Sequence, residues 1–151
     1  MAIFRPEDES RVRELFAELL VRPVELLVAH GPEETPVGGS RDTDFGAETE
    51  RVVRELAELS PSVSVRVEEQ PDGAADTSSP RFERYPAVSV QPEGRDVGVR
   101  YYGLPWGYEL SSLVGAVLEA GREESSLSAE TLERLVALDR DVAIDVFVTP
   151  T

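Results

Sequence analysis

Few side chains in this sequence are equipped for chemistry. It contains no cysteine and a single histidine, His30. Thiolate catalysis, disulfide staples and zinc sites built on cysteines or paired histidines therefore have no residues to work with. His30 closes an apolar stretch, a place where a lone imidazole is more often structural than catalytic. Ser40 follows in "PEETPVGGSRD", but a serine nucleophile needs a base within hydrogen-bond reach, and no feature of the spacing brings His30 to it. Asp42 and Asp44 in "RDTDFGAETE" are spaced like the opening of a calcium loop. That pattern demands an oxygen ligand where Gly46 stands and a glutamate where Val53 stands, so calcium is discarded. These residues imply no cofactor and no metal.

Composition narrows the partners. There are 30 acidic residues against 15 basic ones, every basic residue is arginine, and the formal net charge is -15. Such a field repels phosphate backbones and anionic lipid, which argues against nucleic acid and membrane as partners. Two origins fit the composition equally: adaptation to a salt-rich cytoplasm, where dense carboxylates keep a surface hydrated, or a GC-rich genome that favours arginine beneath an ordinary acidic surface. The runs "EDE" and "PEE" need nothing beyond solvation. With 151 residues, 40% of them hydrophobic, the chain can bury one core of ordinary size. No apolar run approaches the roughly 20 residues of a membrane-spanning helix. The first residues, "MAIFRPEDES", are acidic where a secretory signal carries a basic head, so a cytoplasmic location is expected.

The elements that must position any site can be read from periodicity. "PEDESRVRELFAELL" sets Val12, Leu15, Phe16, Leu19 and Leu20 on one helical face, with Asp8 or Ser10 as candidate caps. "VELLVAHG" reads as a strand buried between layers. "ETERVVRELAELS" is a second amphipathic helix through Val52, Val53, Leu56 and Leu59, and "VSVRVEE" alternates as a strand does. "QPDGAADTSSPRFER" has the composition of a loop. "AVSVQPEGRDVGVRYYG" then reads as a hairpin, and "WGYELSSLVGAVLEAG" as a helix with Leu110, Leu113, Val114, Val117 and Leu118 turned inward. The order αβαβ, ββ, α fits a central mixed sheet flanked by helices, the thioredoxin arrangement.

That arrangement is complete near Gly121, yet "REESSLSAETLERLVALDRDVAIDVFVTPT" supplies another helix, capped by Ser128 or Ser126, and another strand-like run. When Pro23 is laid over Val142, Phe16 meets Leu135, Leu19 meets Leu138, Leu27 meets Val146 and Ala29 meets Val148, a weak internal repeat. The expected domains are a thioredoxin-like unit over residues 1–122 and, over 123–151, the linker helix and first strand of an incomplete second unit. Trp106, with Tyr101, Tyr102 and Tyr108 around it in sequence, reads more readily as a lid over the local core than as an interface anchor.

From "DVGVRYYGLPWGYELSS" to the end, with "YYGLP", "GYE", "REES", "SAET" and "VFVTPT" in order and spacing, the chain resembles the glutaredoxin-like protein disulfide oxidoreductases, which carry two thioredoxin-fold units in tandem. The resemblance implies dithiol–disulfide exchange on protein substrates, and a Cys-x-x-Cys pair just after "VFVTPT" in full-length relatives. It also implies that Thr43 and Gly46 occupy the cysteine positions of the first unit's own pair, with Asp44 and Phe45 between them, so this unit is expected to be redox-inert. Pro86 stands where the fold has a cis-proline facing the active-site loop. By that resemblance Tyr85, Pro86 and Phe45 are the candidate substrate-binding residues, the backbone of Tyr85 pairing with an extended segment as a short added strand. The expected partners are protein substrates with disulfides or dithiols and the missing second unit, with another copy of this chain as a further possibility. Two other readings stand beside this one: the tandem thioredoxin-like region of the flavoprotein component of alkyl hydroperoxide reductase, whose first unit also lacks cysteines, and a stand-alone, non-catalytic protein-binding module.

Overall fold

A computed structural model describes residues 2–31, 44–70 and 81–148. Four strands form one sheet in the order β2-β1-β3-β4: β1 is Val24–His30, β2 Val63–Glu69, β3 Ala87–Pro92 and β4 Arg100–Tyr102. β1 runs parallel to β2 and antiparallel to β3, and β4 is antiparallel to β3. The helices are α1 (Pro6–Leu19), α2 (Phe45–Ala57), α3 (Tyr108–Gly121) and α4 (Ala129–Val136). The mixed sheet and flanking helices match the architecture expected from the sequence.

Strand periodicity sorts the side chains. Val24, Leu26 and Val28 of β1, Val63 of β2, and Val88 and Val90 of β3 share one face by register. They join Val12 and Phe16 of α1, Val53 and Leu56 of α2, and Leu113, Val114 and Val117 of α3 in a single cluster. Each fully buried side chain of this size is worth about 1.5–3 kcal/mol of removal from water, which makes the cluster the main source of stability. The opposite face carries Leu27, Ala29, Ala87, Ser89 and Gln91, all buried. Burying both faces explains why β1 reads as a nearly continuous apolar run.

That second face is crossed by a polar chain. Arg66 Nε donates to Glu25 Oε1 at 2.9 Å, another of its nitrogens pairs with Glu68, and Gln91 Nε2 donates to Ser89 Oγ at 3.3 Å. Arg100 donates to the same Ser89 oxygen at 3.0 Å and to Asp96 at 2.6 and 2.7 Å. Buried polar atoms on adjacent strands are thereby satisfied across the sheet.

Three local expectations are corrected. α1 begins at Pro6 with Arg5 at its N-cap, so neither Asp8 nor Ser10 caps it. Proline at the first helical position sacrifices an N–H that would have no partner, and Glu7, Asp8 and Glu9 line the first turn where the helix dipole favours anions. In the hairpin, β4 is only three residues long, because Glu93 (φ 52°) and Gly94 (φ 72°) turn the chain in left-handed conformations and residues 95–99 do not pair as a strand. The strand-like run at the end forms no strand among residues 141–148, where Ile144, Val146 and Phe147 are exposed. A strand is held by a neighbour's ladder, and none of the described strands lies beside it. Ser128 does cap α4, its Oγ accepting from the Thr131 N–H at 3.2 Å, yet no residue of α4 is buried. No helix among the described residues is long and apolar enough to cross a membrane.

Candidate functional site

The candidate residues gather at one end of the sheet. The antiparallel pairing of Ala29 with Ala87 sets the end of β1 beside the start of β3, immediately after Pro86. α2 returns over the same end: His30 Nε2 lies 3.2 Å from Glu50 Oε2, in the second turn of α2, one turn beyond Phe45. Phe45 and Pro86 therefore belong to the same end of the fold. Thr43 lies outside the described residues.

The Tyr85–Pro86 peptide bond is cis. Pro86 is buried, and its carbonyl accepts the Gly103 N–H at 2.8 Å, tying the loop before α3 to the same locus. Tyr85 is held on three sides. Its ring lies so close over Gly31 that a Cβ on that glycine would fall 2.3 to 2.5 Å from three ring carbons. Its hydroxyl donates to Gln70 Oε1 at 2.7 Å, and the Phe82 ring lies 6.4 Å away at 59°. Arg100 stacks its guanidinium 5.2 Å from the centre of the Phe82 ring. The roles of Gly31 and Gln70 escape a reading of the sequence: Gly31, followed by Pro32, reads as mere punctuation, and pattern alone does not reveal that an aromatic ring takes the place of its side chain.

At the mouth of α2, Asp44 is the N-cap. Its Oδ1 accepts from the Ala47 N–H at 3.0 Å. The cap satisfies an orphan donor of the first turn and brings a negative charge to it, the position that favours anions most. Gly46 is buried and Phe45 half-buried. Neither Asp44, Phe45 nor Gly46 can form a covalent bond to sulfur. Deeper in the helix, Arg54 and His30 hold the Glu50 carboxyl below its ordinary range, and Arg51 does the same for Glu48. Thr49, fully buried, has a hydroxyl with no hydrogen-bond partner among the described residues. Among the described residues, no group of three or more His, Asp or Glu side chains could hold a metal ion.

The aromatics around Trp106 do not form one cluster. Tyr101 packs against the core and pairs its hydroxyl with Ser112 at 3.0 Å, whereas Tyr108 is 84% exposed and Tyr102 is exposed as well. Trp106 itself is half-buried in the loop before α3. Burial pushes the nearby Glu109 carboxyl upward.

No protein-family model matches the chain. The alkyl hydroperoxide reductase protein AhpF of Pseudomonas putida is 36% identical over 64 residues, 42% of this chain and 12% of that protein, so the match spans about an eighth of the relative. Among solved structures, the N-terminal domain of alkyl hydroperoxide reductase AhpF from Enterococcus faecalis superposes with a TM-score of 0.74 at 23% identity, over 91% of this chain and 62% of that one. A protein disulfide oxidoreductase from Aeropyrum pernix superposes with a TM-score of 0.67 at 25% identity, over 89% of this chain and 55% of that one. The chain is thus a thioredoxin-like unit, similar in fold to the N-terminal domain of AhpF and to a protein disulfide oxidoreductase.

Proposed function

We propose that this chain is a redox-inert thioredoxin-like unit that serves thiol–disulfide exchange by docking, with the chemistry residing on a dithiol-bearing unit to which it is joined or bound. The observation that carries the reading is a thioredoxin-like fold, with its cis-proline, in a chain of 151 residues without a cysteine. The fold's binding end is kept while its reactive pair is replaced, Gly46 standing at one of the two positions. An extended substrate segment would lie against Tyr85 and Pro86 and exchange main-chain hydrogen bonds there, flanked by Phe45.

Residues 123–151 are, in this proposal, the start of that second unit. Supporting this are the amphipathic α4 without a buried residue and the exposed apolar run from Val142 to Val148 that follows it. The sequence matches favour alkyl hydroperoxide reductase AhpF as the parent type over a protein disulfide oxidoreductase, because the relatives found by sequence are of the first kind. A cytoplasmic setting is part of the same proposal.

The test is an NMR titration of the chain with reduced, alkylated insulin B chain, a probe that is extended and cannot form disulfides. Amide shifts are expected at Phe45, Tyr85, Ala87 and Gly103 and nowhere on α1. Shifts confined to other surfaces, or none at millimolar peptide, would refute the docking role. Any insulin-reducing turnover by the chain alone would refute inertness.

A further inference from the structure

The connection between α3 and α4, residues 122–128, is largely exposed and rich in Glu and Ser, the composition of a flexible linker. Its polar groups are nevertheless tied down. Glu119, in the last turn of α3, accepts from the Ser125 hydroxyl at 2.8 Å and from the Ser126 N–H at 2.9 Å on the same carboxylate oxygen. Its other oxygen lies 3.4 Å from Arg122 Nη1. Ser125 Oγ in turn accepts the Leu127 N–H at 3.2 Å. On the near side, the Gly121 carbonyl accepts both the Val21 and Arg22 N–H groups at 2.8 and 3.0 Å, and Arg22 Nη2 donates to the Glu123 carbonyl at 3.0 Å. On the far side, Ser128 caps α4.

We propose that Glu119 is the clasp of a rigid elbow that holds α4 at one angle to α3, so that Leu132 and Leu135 of α4 are presented in a fixed direction rather than on a swinging tether. Hydrogen bonds to a carboxylate are about twice as strong as neutral ones, and here two converge on one oxygen from adjacent residues of the connection. Those same donors, the Ser126 N–H foremost, hold the carboxyl down to about 2. The elbow lies by Gly121 and Arg22, next to the start of β1, at the opposite end of the sheet from Pro86. It holds whether or not the docking function proposed above is right.

The absence of cysteine makes the test direct. Gly115→Cys and Val136→Cys introduce the only two thiols for spin labels, one on α3 where a Cβ meets nothing within 4 Å and one on α4 at a residue 86% exposed. Pulsed dipolar spectroscopy on the full chain should give one narrow distance distribution. Adding Glu119→Ala should broaden it roughly twofold and speed hydrogen exchange of the Ser126 amide roughly tenfold, with exchange in β3 unchanged. If Glu119→Ala unfolds the whole unit, Ser125→Ala, which removes one donor and keeps the carboxylate, decides by the same two readouts. A distribution that is already as broad with Glu119 in place, or variants that change neither readout, would overturn the proposal.

Discussion

Gly31 offers the sharpest test of how the binding end is built. In Gly31→Ala the new methyl would sit 2.3 Å from the Tyr85 Cδ2 and 2.5 Å from its Cγ, inside any real carbon contact and too near the ring's root to be relieved by a small rotation. The ring must swing out, and its hydroxyl then leaves Gln70, now 2.7 Å away. Losing that hydrogen bond costs about 1 kcal/mol and overpacking about 1–3 more, a total of about 2–4 kcal/mol. With a urea slope of about 2 kcal/mol/M, the middle of the usual range, the unfolding midpoint should fall by about 1–2 M. Trp106, the only tryptophan, lies in the loop that Gly103 ties to Pro86 and supplies the fluorescence signal. The decisive measurement is the cycle with Tyr85→Ala. Without the ring, Gly31→Ala should cost nothing, or stabilise by about 0.4–1 kcal/mol through the unfolded chain. Equal costs of Gly31→Ala in both backgrounds would show that the ring does not occupy that space.

Three further outcomes are expected. Phe16→Ala should destabilise the unit by about 3–5 kcal/mol in denaturant melts, since the side chain is 1% exposed and joins α1 to the core; a loss below about 1 kcal/mol would detach α1 from that core. Glu119 has a folded carboxyl pKa below its unfolded value, so its contribution is present above about 4.5 and fades as pH falls toward about 2. Solvent screening at this surface position limits that contribution to about 1 kcal/mol. Glu119→Gln should accordingly narrow the stability gap with the parent chain as pH falls from about 5 toward about 2, and a constant gap across that window would contradict the depressed pKa. Finally, a net charge of -15 destabilises the compact state by self-repulsion, which salt screens. Thermal midpoints should rise with KCl, and a flat response from low to molar salt would remove the idea of a salt-adapted surface.

What can be read from the sequence divides along physical lines. The strand β1 and the helices α2 and α3 are legible because each buries a continuous stripe, and burial leaves a period in the residues: Val52, Val53 and Leu56 on α2, Leu113 and Val117 on α3. The start of α1 is not, because Pro6 and three acids make an N-terminus without a capping side chain, and Asp8 and Ser10 are the more conspicuous signals. The run from Val142 to Val148 has the composition of a strand, but strand formation depends on a neighbouring ladder, which composition does not encode. At the site, Pro86 is reached through a resemblance rather than a local signal. The packing of Tyr85 on Gly31 joins residues 54 positions apart, a pairing no local pattern contains.

The helix α3 has a mechanical consequence. Its 14 residues make a rod about 21 Å long, with one end in the loop that Gly103 fastens to Pro86 and the other in the Glu119 clasp. A tilt of about 5° at the Pro86 end would carry the far end roughly 2 Å sideways over that length. Under the two proposals above, a segment bound at one extremity of the sheet and the bearing of α4 at the other would be geared together, through the stiffest kind of element a polypeptide offers.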